Sequence, residues 1–213
     1  MKSESGGTWS YREAVGSLMW LVVWSKPEIY NATRLVARHV DDPSKRHRQV
    51  VLQIIKYALG TKGQSLTFER GPNLDLSVYT DANYSEKADD MKSVSGVAVT
   101  VGNSTVSWFS STQKIVTLST TEAENVELGD GAKEGLFVKA VCVHRTFSFG
   151  EEHQGVGRQR RGYQTSSKPL SSARTKHIDI RFHFIRKLVR TGTIAVEHIP
   201  IREQRADILT KHL

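Results

Sequence analysis

A single cysteine, Cys142, stands in 213 residues. One thiol excludes a disulfide framework and a zinc site built from several cysteines. No apolar run approaches the roughly 18 residues that a membrane span needs. The first seven residues are polar and lack the basic-then-apolar order of a signal peptide. Acidic residues are outnumbered, 22 against 30 Lys and Arg, which leaves a formal net charge of +8. Together these features predict an intracellular protein with no membrane partner, and a pI near 9.6 favours a polyanionic partner. The apolar fraction is 38%, low but clustered, and that clustering is enough to bury a core.

Hydrophobic spacing divides the chain. Val15, Leu18, Met19, Leu21, Val22 and Val23 form a helical stripe over Tyr11 to Trp24, closed by Pro27. A second helix is predicted from Glu28 to Val40, ended by Asp41-Asp42-Pro43. A third is predicted from Ser44 to Leu59, with Val50, Val51, Ile54, Ile55 and Ala58 inward and Gly60 as the stop. The period then shifts to two. Short strands are predicted at Ser65 to Phe68, at Leu74 to Asp81, at Ser95 to Val101 and at Thr105 to Ser110, the last two joined at Gly102-Asn103. A helix follows from about Glu122 to Phe147. Ser119 with Glu122, and Thr121 with Glu124, both have capping-box spacing. Residues 151–167 hold three arginines and three glycines with little that is apolar, and they read as a charged loop. A helix over Thr175 to Arg190, a strand over Ile194 to Ile199 and a terminal helix over Glu203 to Leu213 complete a mixed α/β domain.

Four short motifs occur in order: Thr80-Asp81-Ala82-Asn83, the run Ser119 to Glu124, the run Arg174 to Arg181, and the run Ala206 to Lys211. With Lys92 to Gly96 and Val106 to Trp108, they resemble the ribonuclease H domain of copia-type retrotransposon polyproteins. Residues 11–62 resemble the helical end of the reverse-transcriptase thumb in the same polyproteins. The resemblance implies a ribonuclease H-like mixed five-stranded sheet flanked by helices over residues 63–213, preceded by a small all-helical module and a polar tail, residues 1–10. It implies hydrolysis of the RNA strand of an RNA/DNA hybrid, an upstream polymerase domain as partner, and a cytoplasmic particle or the nucleus as the place of work. It also implies two divalent ions, Mg²⁺ or Mn²⁺, because in-line displacement at phosphorus uses a metal on each of the attacking and leaving oxygens. Hard oxygen ligands hold such ions, so carboxylates must converge from separate elements.

Asp81 matches the family's first carboxylate, Glu124 the second and Asp207 the fourth, each as catalytic residue and metal ligand. Taken alone, Asp81 reads as an Asx turn at a strand end. Glu124 and Asp207 read alone as acids at helix N-termini. Glu122 stands two residues from Glu124 and is the alternative ligand. The third carboxylate belongs in an Asp-Asn pair closing the fourth strand, and no such pair occurs between Phe149 and Pro169. One permitted choice of codons for Glu152 to Ser166, read one nucleotide later, gives an apolar run followed by Asp-Asn, with the aspartate at the slot of Arg158. A frameshift there would put a guanidinium where a carboxylate belongs, repelling Mg²⁺ and pairing with Asp81. Cleavage is therefore expected to be impaired or absent. The alternatives are a non-catalytic nucleic-acid-binding module and a decayed retroelement remnant. Weaker candidates are His177 and Asp179 near the site, and Trp108 and Tyr84 as stacking aromatics that read more readily as core. His183 reads as a helix-surface residue. Lys45, Arg46 and Arg48 form a basic helix start able to meet phosphates.

Overall fold

The computed structural model describes residues 9–68, 75–84, 92–144, 157–160 and 175–211. Two compact units divide at Ser65 and Leu66.

The first unit is helical. Helix α1 spans Tyr11–Trp24, and the Ser10 hydroxyl caps it by accepting from the Glu13 amide at 3.3 Å. A single 3-10 turn, Pro27–Ile29, leads into α2, Tyr30–Ala37, and α3 spans Lys45–Gly60. Tyr11, Val15, Leu18 and Val22 from α1 meet Ile29, Val36, Val51 and Ile54 in one core. Val23, expected inside, is exposed along with Trp20 and Trp24. Helix α2 is shorter than its pattern suggested. Pro27 diverts its start into the 3-10 turn, and the Val36 carbonyl at its end accepts from the Tyr11 hydroxyl at 2.8 Å and the His39 amide at 3.2 Å. The His39 bond, three residues long, tightens the last turn and ends the helix, while the Tyr11 hydroxyl satisfies the same carbonyl from α1. Buried Lys26 donates to the Thr61 carbonyl at 2.8 Å and the Gln64 carbonyl at 3.4 Å, placing a cation just past the C-terminus of α3.

The second unit is built on a sheet. Strands β1 (Leu76–Asn83), β2 (Val94–Val101) and β3 (Ser104–Thr112) are antiparallel neighbours. Helix α4 (Thr120–His144), strand β4 (Gly157–Arg160), helix α5 (Thr175–Arg190) and strand β5 (Ile194–Glu197) follow. β4 and β5 extend the sheet in parallel, giving the order β3-β2-β1-β4-β5. The β2–β3 hairpin turns at Gly102, whose φ of 58° suits glycine. Leu76 and Val78 on β1, with Val97 and Val99 on β2, pack against Val138 of α4. The approach is close: a Cβ on Gly135 would lie 2.6 Å from a methyl of Val78. Leu128 and Ala132 of α4 meet Ile185 of α5 and Ile194 of β5 in a second cluster. Three antiparallel strands, a helix, and a parallel strand–helix–strand make a mixed α/β fold, the class that the resemblance implies.

Several sequence expectations need correction. Residues 64–68 carry no regular structure where a strand was expected. β1 runs two residues past Asp81, so the aspartate lies inside the strand and not at its end. The terminal helix is replaced by two single 3-10 turns, Ile201–Glu203 and Asp207–Leu209. Gln204 between them is extended (φ −76°, ψ 96°), and its amide nitrogen donates to the Thr80 carbonyl at 2.8 Å. Anchoring that side chain to the sheet interrupts the helical run. Within the expected loop 151–167, residues 157–160 form β4. Backbone pairing to a strand on each side is open to any residue with an N–H and a C=O, so arginines do not forbid it. The rest of that loop lies outside the described residues.

Candidate functional site

Asp81 shares strand parity with Tyr79, and both belong to the sheet face opposite α4. The segment from Arg205 to Thr210 lies on this face. A Cβ on Gly96, the ladder partner of Asp81, would stand 2.8 Å from Thr210 Cγ2, 2.9 Å from Leu209 Cβ and 3.0 Å from the Ala206 carbonyl. The Thr210 hydroxyl donates to Asp81 Oδ2 and lies 3.2 Å from the Asp207 carbonyl. Asn83 Nδ2 donates to the Thr210 carbonyl at 3.4 Å. The Arg205 guanidinium rests 5.4 Å from the Tyr79 ring centroid and donates to the Asn103 carbonyl at 3.2 Å. Thr210 thus links the Asp81 carboxylate to the main-chain carbonyl of Asp207, not to its carboxylate. Asp81 is only 3% exposed, while Asp207 is half-buried and ion-paired with Lys211.

Glu124 lies in the second turn of α4. Its neighbour Glu122 is a capping residue: Glu122 Oε2 accepts from the Leu118 amide at 2.7 Å, and its own amide donates to the Ser119 hydroxyl at 3.2 Å. Of the two spacings, the one at Ser119 is used: its hydroxyl caps the Glu122 amide, while the Glu122 carboxylate reaches the Leu118 amide and not that of Ser119. The start of α4 is fixed to the sheet by buried Gln113, which sequence reasoning missed. Its Nε2 donates to the Ser95 hydroxyl at 3.0 Å and to the Ala123 carbonyl at 2.9 Å. Ser95 pairs with Ala82, next to Asp81. Gln113 therefore sets where Glu124 begins relative to β1. Only its position just before a Thr-rich helix start could have signalled this.

Arg158 does not stand level with Asp81. The β1–β4 ladder pairs Ser77 with Arg158 and Tyr79 with Arg160. Arg158 is therefore four residues, about 13 Å of strand, short of Asp81. The expectation of an Arg158 guanidinium beside Asp81 is corrected on that register. His177 and Asp179 fall in the first turns of α5. His183 is exposed, as expected of a helix-surface residue; Trp108 is half-buried and Tyr84 is exposed at the end of β1. Lys45, Arg46 and Arg48 are exposed in the first turn of α3, in the helical unit. Arg48 lies over the rings of Trp9 (5.4 Å) and Tyr11 (5.9 Å). Burial pushes the Tyr11 phenol above its ordinary pKa, with Arg48 opposing; Tyr30 is raised for the same reason, with Arg34 opposing.

The chain is 36% identical over 205 residues to the retrovirus-related Pol polyprotein from transposon TNT 1-94 of Nicotiana tabacum, a match covering 94% of this chain. The corresponding polyprotein from transposon RE1 of Arabidopsis thaliana is 30% identical over 203 residues, 95% of this chain. The chain is thus similar over nearly its whole length to retrovirus-related Pol polyproteins of plant transposons. It spans 15% and 14% of the length of these two relatives. Among solved structures, ribonuclease H1 from Halobacterium salinarum aligns with a TM-score of 0.40 and 17% identity, over 63% of this chain and 93% of that one. No protein-family model matches the chain.

The family implies divalent metal. Among the described residues no group of three or more His, Cys, Asp or Glu side chains is arranged to hold an ion. One oxygen of Asp81 is taken by the Thr210 hydroxyl and one of Asp207 by Lys211. These residues, as arranged, do not fit a two-metal centre.

Proposed function

We propose that the chain is a nucleic-acid-binding module of a transposon Pol polyprotein, with a ribonuclease H-like fold that holds RNA/DNA hybrids without cutting them. The helical unit corresponds, in this reading, to the end of a reverse-transcriptase thumb, and an upstream polymerase domain is its partner inside the cell. Asp81, Glu124 and Asp207 are what remains of a Mg²⁺-dependent centre. One observation carries the reading: β4, the strand beside that of Asp81, contributes Gly157, Arg158, Gln159 and Arg160, and none is a carboxylate. A displacement at phosphorus needs its ions held by several converging carboxylates. With one oxygen of Asp81 held by Thr210 and one of Asp207 by Lys211, and with no carboxylate on β4, that convergence is missing, and no hydrolytic step follows from these residues. Binding asks less, because phosphate attraction is electrostatic and independent of sequence.

The test is incubation of the full chain with a labelled RNA/DNA hybrid in Mg²⁺, with binding followed in parallel. The expected result is a salt-dependent complex and intact RNA. Cleavage that requires Mg²⁺ and disappears in Asp81→Asn would overturn the reading, and so would the absence of any complex at 50 mM salt.

A further inference from the structure

The surface of α5 carries a feature that the carboxylate region does not use. Between Ile180 and Val196 there is no acidic residue, while Arg181, His183, Arg186, Lys187 and Arg190 fall in that stretch. Arg181 is committed to the interior: its Nη1 donates to the Val126 carbonyl at 3.1 Å and to Asp130 Oδ1 at 2.7 Å, and its stem passes over Gly129. The other four are exposed. Their spacing, i, i+3, i+4 and i+7 from His183, places them on one helical stripe. Among the described residues, Arg186, Lys187 and Arg190 form no ion pair with a carboxylate. Lys133, Arg202 and Lys211 all do.

The helix dipole accounts for cations in the last turn, hence for Lys187 and Arg190. It does not account for Arg186 or for the stripe as a whole. The Arg186 guanidinium lies 4.4 Å from the centroid of Phe182, one turn before it. Resting on a ring restrains a side chain that otherwise loses rotamer freedom whenever it engages a ligand. Its fork of donors then suits a phosphate. From His183 to Arg190 the helix rises about 10.5 Å. A nucleic-acid strand presents one charge per about 3.4 Å of axis, so the stripe spans about three phosphates.

We infer that the solvent face of α5, through Arg186, Lys187 and Arg190, is a contact surface for the phosphate backbone of nucleic acid. This rests on the nucleic-acid-binding reading above and adds where the binding occurs. Contact of this kind is independent of base sequence.

The experiment titrates the full chain against a 20-base-pair RNA/DNA hybrid by fluorescence anisotropy between 50 and 200 mM salt. The triple variant Arg186→Gln, Lys187→Gln, Arg190→Gln should reduce the slope of log affinity against log salt by about 2–3, since each phosphate neutralised contributes about 0.7–0.9. Each single variant should reduce it by about 0.7–0.9, which keeps the question answerable if the triple variant misfolds by circular dichroism. If the parent chain binds hybrid and all of these variants keep the parental slope, the α5 assignment is wrong while the binding function stands. If the parent chain binds no hybrid, both are wrong. Equal loss of binding by a Lys45→Gln, Arg46→Gln variant together with unchanged α5 variants would move the surface to the helical unit. A stripe that captures phosphatidylserine vesicles while hybrid binding stays unchanged would assign it to membranes and overturn the inference.

Discussion

Replacing Gly96 by alanine tests how tightly the C-terminal turns are seated over Asp81. The added Cβ would stand 2.8 Å from Thr210 Cγ2, 2.9 Å from Leu209 Cβ and 3.0 Å from the Ala206 carbonyl oxygen. Leu209, Thr210 and Ala206 are each no more than 1% exposed. None of these atoms is the far end of a flexible side chain. The Ala206 carbonyl also accepts the Leu209 amide at 3.0 Å. The segment cannot slide locally, because Gln204 ties it to Thr80 at one end and Thr210 ties it to Asp81 at the other. Overpacking of this kind costs about 1–3 kcal/mol. For a unit the size of Leu66–His212, each kcal/mol moves Tm by about 2–4 °C. Gly96→Ala should therefore lower Tm by about 2–12 °C. Amide exchange at Leu209 and Thr210 should accelerate more than exchange across β2 and β3, because the turns lift before the sheet opens. Gly63→Ala, where an added Cβ meets nothing within 4 Å, is the control. A Gly96→Ala protein with parental Tm and unchanged exchange at Leu209 and Thr210 would refute the docking of these turns on β1 and β2.

Two further outcomes follow. Gln113→Met removes the bonds to Ser95 and Ala123 from a buried position. It should cost about 1–3 kcal/mol, read as a lower urea midpoint with an unchanged m-value; an unchanged midpoint would show that the start of α4 is held by other means. The helical unit should also lose stability at alkaline pH. Tyr11 and Tyr30 titrate higher when folded than when unfolded. Above the ordinary phenol value near 10, the unfolded chain releases protons that the folded chain keeps, and stability falls as pH rises. Tyr11→Phe loses the bond to the Val36 carbonyl but should flatten this decline between pH 9 and 11; a decline of parental steepness would mean that Tyr11 is not its source.

The helices of the first unit and the strands β1 to β3 were legible in the sequence, because burial on one face imposes periods of 3.6 and 2 that survive in the residue order. Ser44 and Ser119 marked helix starts, and both act as caps. The motif around Asp81 was legible as well, since it lies within a few consecutive residues. What the sequence could not carry were relations between distant segments. The choice of Glu122 as a cap was set by the reach of its carboxylate to the Leu118 amide. Gln204 and Thr210 reach across more than 120 residues to Thr80 and Asp81, and such bonds leave no local period. The same long-range pairing drew residues 157–160 into the sheet against their own composition, because a strand flanked on both sides is held by its backbone. It also fixed Arg158 level with Ser77. Residue order alone decided most of the helices, the first three strands and which carboxylates are available. Tertiary structure decided what each carboxylate meets, and left Asp81 bonded to a threonine and Asp207 to a lysine.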